Sequence, residues 1–265
     1  MGGKGRYGAV RGGMVFVVAG ALTVGGAYRL LPSLTVSDRL DIHAEYVKYA
    51  SGADSITAYV AYPQRADPAP GIIVIHEIFG MSDFVRSTTE DLAKAGYVAL
   101  APDLLSRRGG TPASPDSARR LVASLNPDTI TQDLNAAFAY LRGLKAVQPE
   151  AIGVIGFCWG GGESFRYATN NPSLRAFVVC YGPAPDLADV HRIRAPGLGV
   201  YADRDSRINP DLYNLATALH DANVYYRFKQ YFKTTHGFLR TRENKKSADQ
   251  AWSDIKAFLR ATLAR

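Results

Sequence analysis

The chain has 265 residues, 47% of them hydrophobic and 21% charged, a length and balance that supply one large α/β domain with a sizeable core. Its net charge is +7, but Lys4, Arg6 and Arg11 contribute three of those charges near the start, and no lysine and arginine block interleaved with aromatics follows. A nucleic-acid partner is therefore not indicated. With only Cys158 and Cys180 present, a disulfide framework is not indicated, and one bridge between the two stays open on sequence grounds.

Residues 1–13 are basic and glycine-rich, Met14 to Thr23 is apolar and uncharged, and Gly25-Gly26-Ala27 offers the small residues a signal peptidase needs. Residues 1–39 thus read as an extension that exports the chain or anchors it at a membrane, placing the domain on the periplasmic or extracellular side. The apolar run is shorter than the roughly 20 residues of a spanning helix. An extension packed on a cytoplasmic domain is the alternative, and no twin-arginine pair is present.

The catalytic domain is expected over residues 40–265. Leu40 to Tyr49 and Ser55 to Pro63 read as two antiparallel strands around the loop Ser51-Gly52-Ala53-Asp54. Gly71 to Ile75 is a continuous apolar run, the pattern of a strand covered on both faces, and it ends in His76-Glu77-Ile78-Phe79-Gly80. A helix over Asp83 to Ala95 and a strand over Tyr97 to Pro102 come next. The polar loop from Asp103 to Gly110 then opens a long excursion through Pro127. Ile130 to Leu144 has helical spacing in Leu134, Phe138 and Leu141. Strands over Ala151 to Ile155, Ala176 to Tyr181, Gly197 to Ala202 and Tyr225 to Phe232 are followed by a helix over Ser247 to Leu263, with one over Asp211 to Ala222 between the last two strands. Such alternation predicts a mostly parallel sheet with helices on both faces and an active site at the carboxyl ends of the strands.

The stretch Ile155-Gly156-Phe157-Cys158-Trp159-Gly160-Gly161-Gly162 sits where a buried strand must turn sharply into a helix. It is a nucleophile elbow in form, G-x-C-x-G, with cysteine as the nucleophile. The helix N-terminus beyond it favours a thiolate and a developing oxyanion. A thiol also needs a base and an acid to orient that base. Asp205 follows the strand Gly197 to Ala202, and His236 follows the strand Tyr225 to Phe232, giving the order nucleophile, acid, histidine. His43, His191 and His220 read as solvated or structural, while His76 ends a central strand and either shapes the oxyanion loop or packs.

Glu77-Ile78-Phe79-Gly80, Pro102-Asp103-Leu104, Gly156-Phe157-Cys158-Trp159-Gly160-Gly161, Asp205-Ser206-Arg207-Ile208-Asn209 and His236-Gly237-Phe238 together resemble the dienelactone hydrolase (carboxymethylenebutenolidase) family from Leu40 onward. The resemblance implies the α/β-hydrolase fold and a Cys158, His236, Asp205 triad that cleaves a small ester or enol-lactone through an acyl-thioester. It further implies that Glu77 contacts the resting thiol, that the Ile78 and Trp159 backbone N–H groups form the oxyanion hole, and that Arg107 and Arg240 hold a substrate carboxylate. Tyr181 either lines the pocket or packs. His76 stands where glutamine is common in the family. No metal or organic cofactor is needed. The expected partner is the small-molecule substrate, and the expected assembly a monomer or small homo-oligomer. The alternatives are a general carboxylesterase, a glutamine-amidotransferase-like site, disfavoured because Phe238 stands where that chemistry wants an acid, and a non-catalytic binding protein on the same fold.

Overall fold

The computed structural model describes the backbone of Val15–Val18 and residues 40–263. The export or anchor expectation for residues 1–39 falls almost wholly outside the described residues. Within that stretch Val15–Val18 (β1) forms an edge strand.

Chain order then gives β2 (Ile42–Ser51), β3 (Asp54–Pro63), β4 (Ala69–Ile75), α1 (Asp83–Lys94), β5 (Val98–Pro102), α2 (Pro115–Ala123), α3 (Pro127–Gly143) and β6 (Val147–Phe157). These are followed by α4 (Trp159–Asn170), β7 (Ala176–Cys180), β8 (Gly197–Ala202), α5 (Leu212–Asp221), β9 (Tyr226–Tyr231), α6 (Phe238–Thr241) and α7 (Lys245–Leu263). The strands form one sheet in the order β1-β9-β8-β7-β6-β4-β5-β3-β2. From β5 across to β9 the pairing is parallel, and β2, β3 and β1 join antiparallel.

Each central strand is apolar on both faces because both faces are covered. Ile73 and Ile75 of β4, Val154 of β6 and Val179 of β7 point into one core, with Leu134 and Phe138 of α3 and Phe165 of α4. Ile72, Val74, Ile155 and Val178, one residue out of step, point into the other, with Val85 and Leu92 of α1. The alternation is the period of two that a pleated strand imposes. Helix α7 closes the second face with Ala248, Ala251, Ile255, Phe258, Leu259 and Leu263, one apolar stripe at helical spacing. Burying each of the large ones stabilises the fold by about 1.5–3 kcal/mol.

The expected elements lie within a few residues of those observed. The helix expected from Ile130 starts at Pro127, because the Asn126 side chain accepts from the Asp128 and Thr129 backbone N–H groups and Pro127 fits the first turn. The excursion before it contains α2, capped by Ser114. Both cysteines are free thiols, so the Cys158–Cys180 bridge does not form. Among the described residues no helix is long and apolar enough to cross a membrane.

Candidate active site

Strand β6 delivers Cys158 to the carboxyl edge of the sheet, and α4 begins at the next residue. The turn is tight enough that Cys158 takes φ +56°, ψ −120°, a conformation L residues rarely adopt. Two glycines permit it. A Cβ on Gly156 would lie 1.8 Å from the Gly160 carbonyl oxygen, and one on Gly160 would lie 2.3 Å from the carbonyl oxygen of His76. The elbow backbone therefore rests directly on the loop that follows β4.

The loops after β8 and β9 bring the other two groups to the thiol. His236 Nε2 lies 3.0 Å from Cys158 Sγ, and His236 Nδ1 lies 2.5 Å from Asp205 Oδ2. With a carboxylate on Nδ1, that nitrogen carries the hydrogen, and the Nε2 lone pair faces the thiol proton. Asp205 is 3% exposed, and its other oxygen accepts from the Arg207 backbone N–H at 3.2 Å. The histidine loop is held by two further carboxylates. Asp203 accepts from the Lys233 and Thr234 backbone N–H groups at 2.8 Å each, and Glu243 accepts from the Thr235 N–H and hydroxyl. Tyr181 meets the imidazole edge-on, ring centroids 5.1 Å apart.

Glu77 is 1% exposed, and Arg240 Nε lies 2.8 Å from its Oε2. Burial pushes the Glu77 carboxyl up from its usual range and Arg240 pulls it back. Burial also pushes the Cys158 thiol up, opposed by the Trp159 backbone N–H; Glu77 adds to the rise, while Arg207 and Arg240 oppose it. On balance the Cys158 group is shifted toward its thiol form, with Sγ 3.0 Å from His236 Nε2.

Ile78 and Phe79 are the central residues of a turn closed by the Gly80 N–H on the Glu77 carbonyl at 3.2 Å, with Gly80 at φ +66°. The Ile78 N–H has no acceptor among the described residues. The turn is anchored from the side, since the Met81 N–H donates to the Thr111 hydroxyl, which donates in turn to the buried Asp103 carboxylate. Arg240 also lies over the Phe79 ring, 5.2 Å from its centroid. Both border a groove of about 530 Å³ that continues along Met81, Arg86, Thr111 and Pro115.

Arg107 and Tyr181, both considered at the substrate pocket, lie as follows. The Arg107 guanidinium, expected at a substrate carboxylate, is bonded to the protein instead: its Nε sits 3.1 Å from both oxygens of Asp133, its Nη2 bonds Asp133 and Ser51, and its Nη1 meets Asp54. The guanidinium is committed to tying the β5 loop to α3 and the β2–β3 turn. Of the two expected places for Tyr181 the structure shows packing: it is 0% exposed and lies among Phe157, His236 and Phe238. Of the supporting carboxylates, Asp103 is quoted in the sequence only as part of the Pro102-Asp103-Leu104 motif, with no role assigned, and Asp203 and Glu243 are not singled out at all. Asp103 and Asp203 each stand just past a strand end, the one signal that could have flagged them. Among the described residues no group of three or more His, Cys, Asp or Glu side chains converges as metal ligands would.

The family model described as "Dienelactone hydrolase family" matches residues 56–263. A relative from Methylorubrum extorquens, named "Putative carboxymethylenebutenolidase", is 33% identical over 212 residues, covering 72% of either chain. Another of the same name from Synechocystis sp. is 30% identical over 244 residues, 84% of this chain and 99% of the relative. The crystal structure of a "Putative Dienelactone Hydrolase" from Klebsiella pneumoniae superposes with a TM-score of 0.76 at 28% identity, over 83% of this chain and 98% of the other. An acylaminoacyl peptidase of Pyrococcus horikoshii, 17% identical with a TM-score of 0.69 over 84% of this chain and 42% of its own, shares the fold alone. The chain belongs to the dienelactone hydrolase family, has the α/β-hydrolase fold and is a carboxylic ester or lactone hydrolase.

Proposed function

We propose that the protein hydrolyses small carboxylate-bearing esters or enol-lactones with Cys158 as nucleophile, through an acyl-thioester. The observation that carries this reading is the continuous line from Asp205 through His236 to Cys158, at 2.5 and 3.0 Å. His236 Nε2 takes the thiol proton as sulfur attacks the carbonyl carbon. Asp205 stabilises the imidazolium that results. The carbonyl oxygen becomes an oxyanion, for which the Ile78 and Trp159 backbone N–H groups are the donors. Collapse of this intermediate breaks the bond to the alkoxide or enolate, which takes the proton from His236 Nε2 and leaves the thioester. Water, deprotonated by the same nitrogen, then attacks the thioester and releases the acid and the thiol.

Arg240 is the group for a substrate carboxylate, since its guanidinium fork borders the groove while pairing with Glu77. A carboxylate arriving there competes with Glu77 for the guanidinium, and Glu77, whose charge acts on the thiol, becomes the stronger base. With Arg107 committed elsewhere, Arg240 is the one of the two expected arginines that remains for the carboxylate. Residues 1–39 serve export or anchoring in this reading, and sequencing the N-terminus of the protein recovered from cell fractions tests that separately.

The test of the proposal is hydrolysis of a lactone and ester panel, with and without a carboxylate, by wild type, Cys158→Ala and Arg240→Ala. Loss of all turnover in Cys158→Ala and loss of carboxylate preference in Arg240→Ala are expected. Turnover at the native rate in Cys158→Ala would overturn the nucleophile assignment.

A further inference from the structure

We infer that His76 is a positioning residue of the oxyanion hole: its imidazole holds the Glu77–Ile78 peptide and packs on Trp159, aligning both backbone donors at Cys158. The inference rests on the thiol-ester chemistry proposed above. His76 lies at the end of β4, fully buried, where neither substrate nor solvent reaches it.

Its Nδ1–H donates to the Glu77 carbonyl at 2.7 Å, and the Gly80 N–H reaches the same oxygen at 3.2 Å. In a planar trans peptide the C=O and the following N–H point in opposite directions. Two donors gripping the Glu77 carbonyl therefore fix the direction of the Ile78 N–H. The turn alone supplies one of these bonds, at its longer distance; the imidazole supplies the shorter one.

The same ring stacks on the Trp159 side chain, centroids 5.4 Å apart and planes 23° from parallel. Trp159 carries the second donor and is the first residue of α4. The His76 carbonyl in turn lies against the Cα of Gly160, where any Cβ would sit 2.3 Å away. One side chain and its own peptide thus touch both halves of the hole. His76 Nε2 has no partner, an unfavourable state for a buried ring nitrogen that a phenyl ring at this position would avoid. The imidazole is there for Nδ1, and burial keeps it neutral by holding its pKa below the ordinary value.

The test separates oxyanion stabilisation from thiol activation, using p-nitrophenyl acetate for acylation and iodoacetamide for alkylation of Cys158. Acylation passes through an oxyanion, whereas alkylation displaces iodide at a saturated carbon and needs only the nucleophile and its base. His76→Phe keeps a stacked ring and loses the hydrogen bond; His76→Asn places an amide N–H near the position of Nδ1. In His76→Phe, kcat for the ester should fall on the order of 10- to 100-fold with KM and the alkylation rate unchanged. His76→Asn should regain most of the loss. Should His76→Phe fail to fold, His76→Leu against its isostere His76→Asn makes the same comparison.

Native acylation in His76→Phe, an equal fall in acylation and alkylation, or no recovery in His76→Asn relative to the apolar variant would each overturn the inference. Failure of the underlying reading looks different: wild type itself would then be alkylated at Cys158 yet form no acyl-enzyme.

Discussion

Replacing Asp205 by asparagine probes the alignment of the base without altering shape. The Asp205 side chain accepts two bonds, from His236 Nδ1 at 2.5 Å and from the Arg207 N–H at 3.2 Å. Asparagine offers one oxygen for those two donors, and its amide N–H₂ must face one of them. If the amide faces His236, the hydrogen moves to Nε2 and the nitrogen 3.0 Å from Cys158 can no longer accept a proton. If the oxygen faces His236, the charge that stabilises the imidazolium is still lost, a hydrogen bond to a charged group worth about 1.5–3 kcal/mol, or roughly 10- to 150-fold in rate. The wrong tautomer adds to this and takes the loss toward about 10⁴-fold, the scale known for triads of this logic. Single-turnover acylation by an activated ester, followed in a stopped-flow instrument, should therefore slow by about 10²- to 10⁴-fold in Asp205→Asn, with a thermal midpoint within a few degrees of wild type. Acylation within about twofold of wild type would refute the role of Asp205 and the base mechanism built on it.

Other substitutions separate the two arginines and the strained elbow. Arg107→Ala leaves the buried Asp133 carboxylate unpaired and should lower stability by about 3–5 kcal/mol in urea unfolding without altering preference for a substrate carboxylate; a stable variant with lost preference would contradict this. Arg240→Ala should raise KM for carboxylate-bearing esters and leave KM for neutral esters unchanged, and an equal change in both would remove its proposed role. Gly156→Ala forces a Cβ to within 1.8 Å of a backbone oxygen. It should destabilise the fold by more than the 1–3 kcal/mol typical of overpacking, and a native unfolding midpoint would show that the elbow relaxes freely. His76, held below its ordinary value by burial, takes up a proton in the unfolded chain before it does in the folded one. Its contribution to stability is present above about pH 6.5 and is lost as pH falls below that value. The urea midpoint should drop less steeply on acidification in His76→Phe than in wild type, and parallel slopes would refute this.

What the sequence made legible was whatever depended on order along the chain. Elements that alternate along a parallel sheet leave their loops at one edge, so Cys158, Asp205 and His236 could be placed together from three strand ends. The elbow was readable because glycine at 156 and 160 has few other reasons to flank a cysteine. Direction of a long side chain was not readable. Arg107 sits in the right loop, but its guanidinium turns to Asp133, an acid on α3 with nothing in its neighbours to mark it as buried. Tyr181 ends a strand at the right edge and yet lies wholly beneath His236, because Phe157 and Phe238 close over it. Asp103, Asp203 and Glu243 act through backbone N–H groups eight to 31 residues away, contacts that exist only once the loops have met.

The family and the fold follow from the comparisons, whereas the proposed nucleophile is argued from three side chains in contact and is open to direct capture. Protein mixed with p-nitrophenyl acetate and quenched in acid within the first turnover should show one acetyl group by intact mass. Peptide mapping should place that group on Cys158, hydroxylamine should release it, and Cys158→Ala should neither carry it nor turn over. An acetyl group on any other residue, or unchanged turnover by Cys158→Ala, would contradict the account.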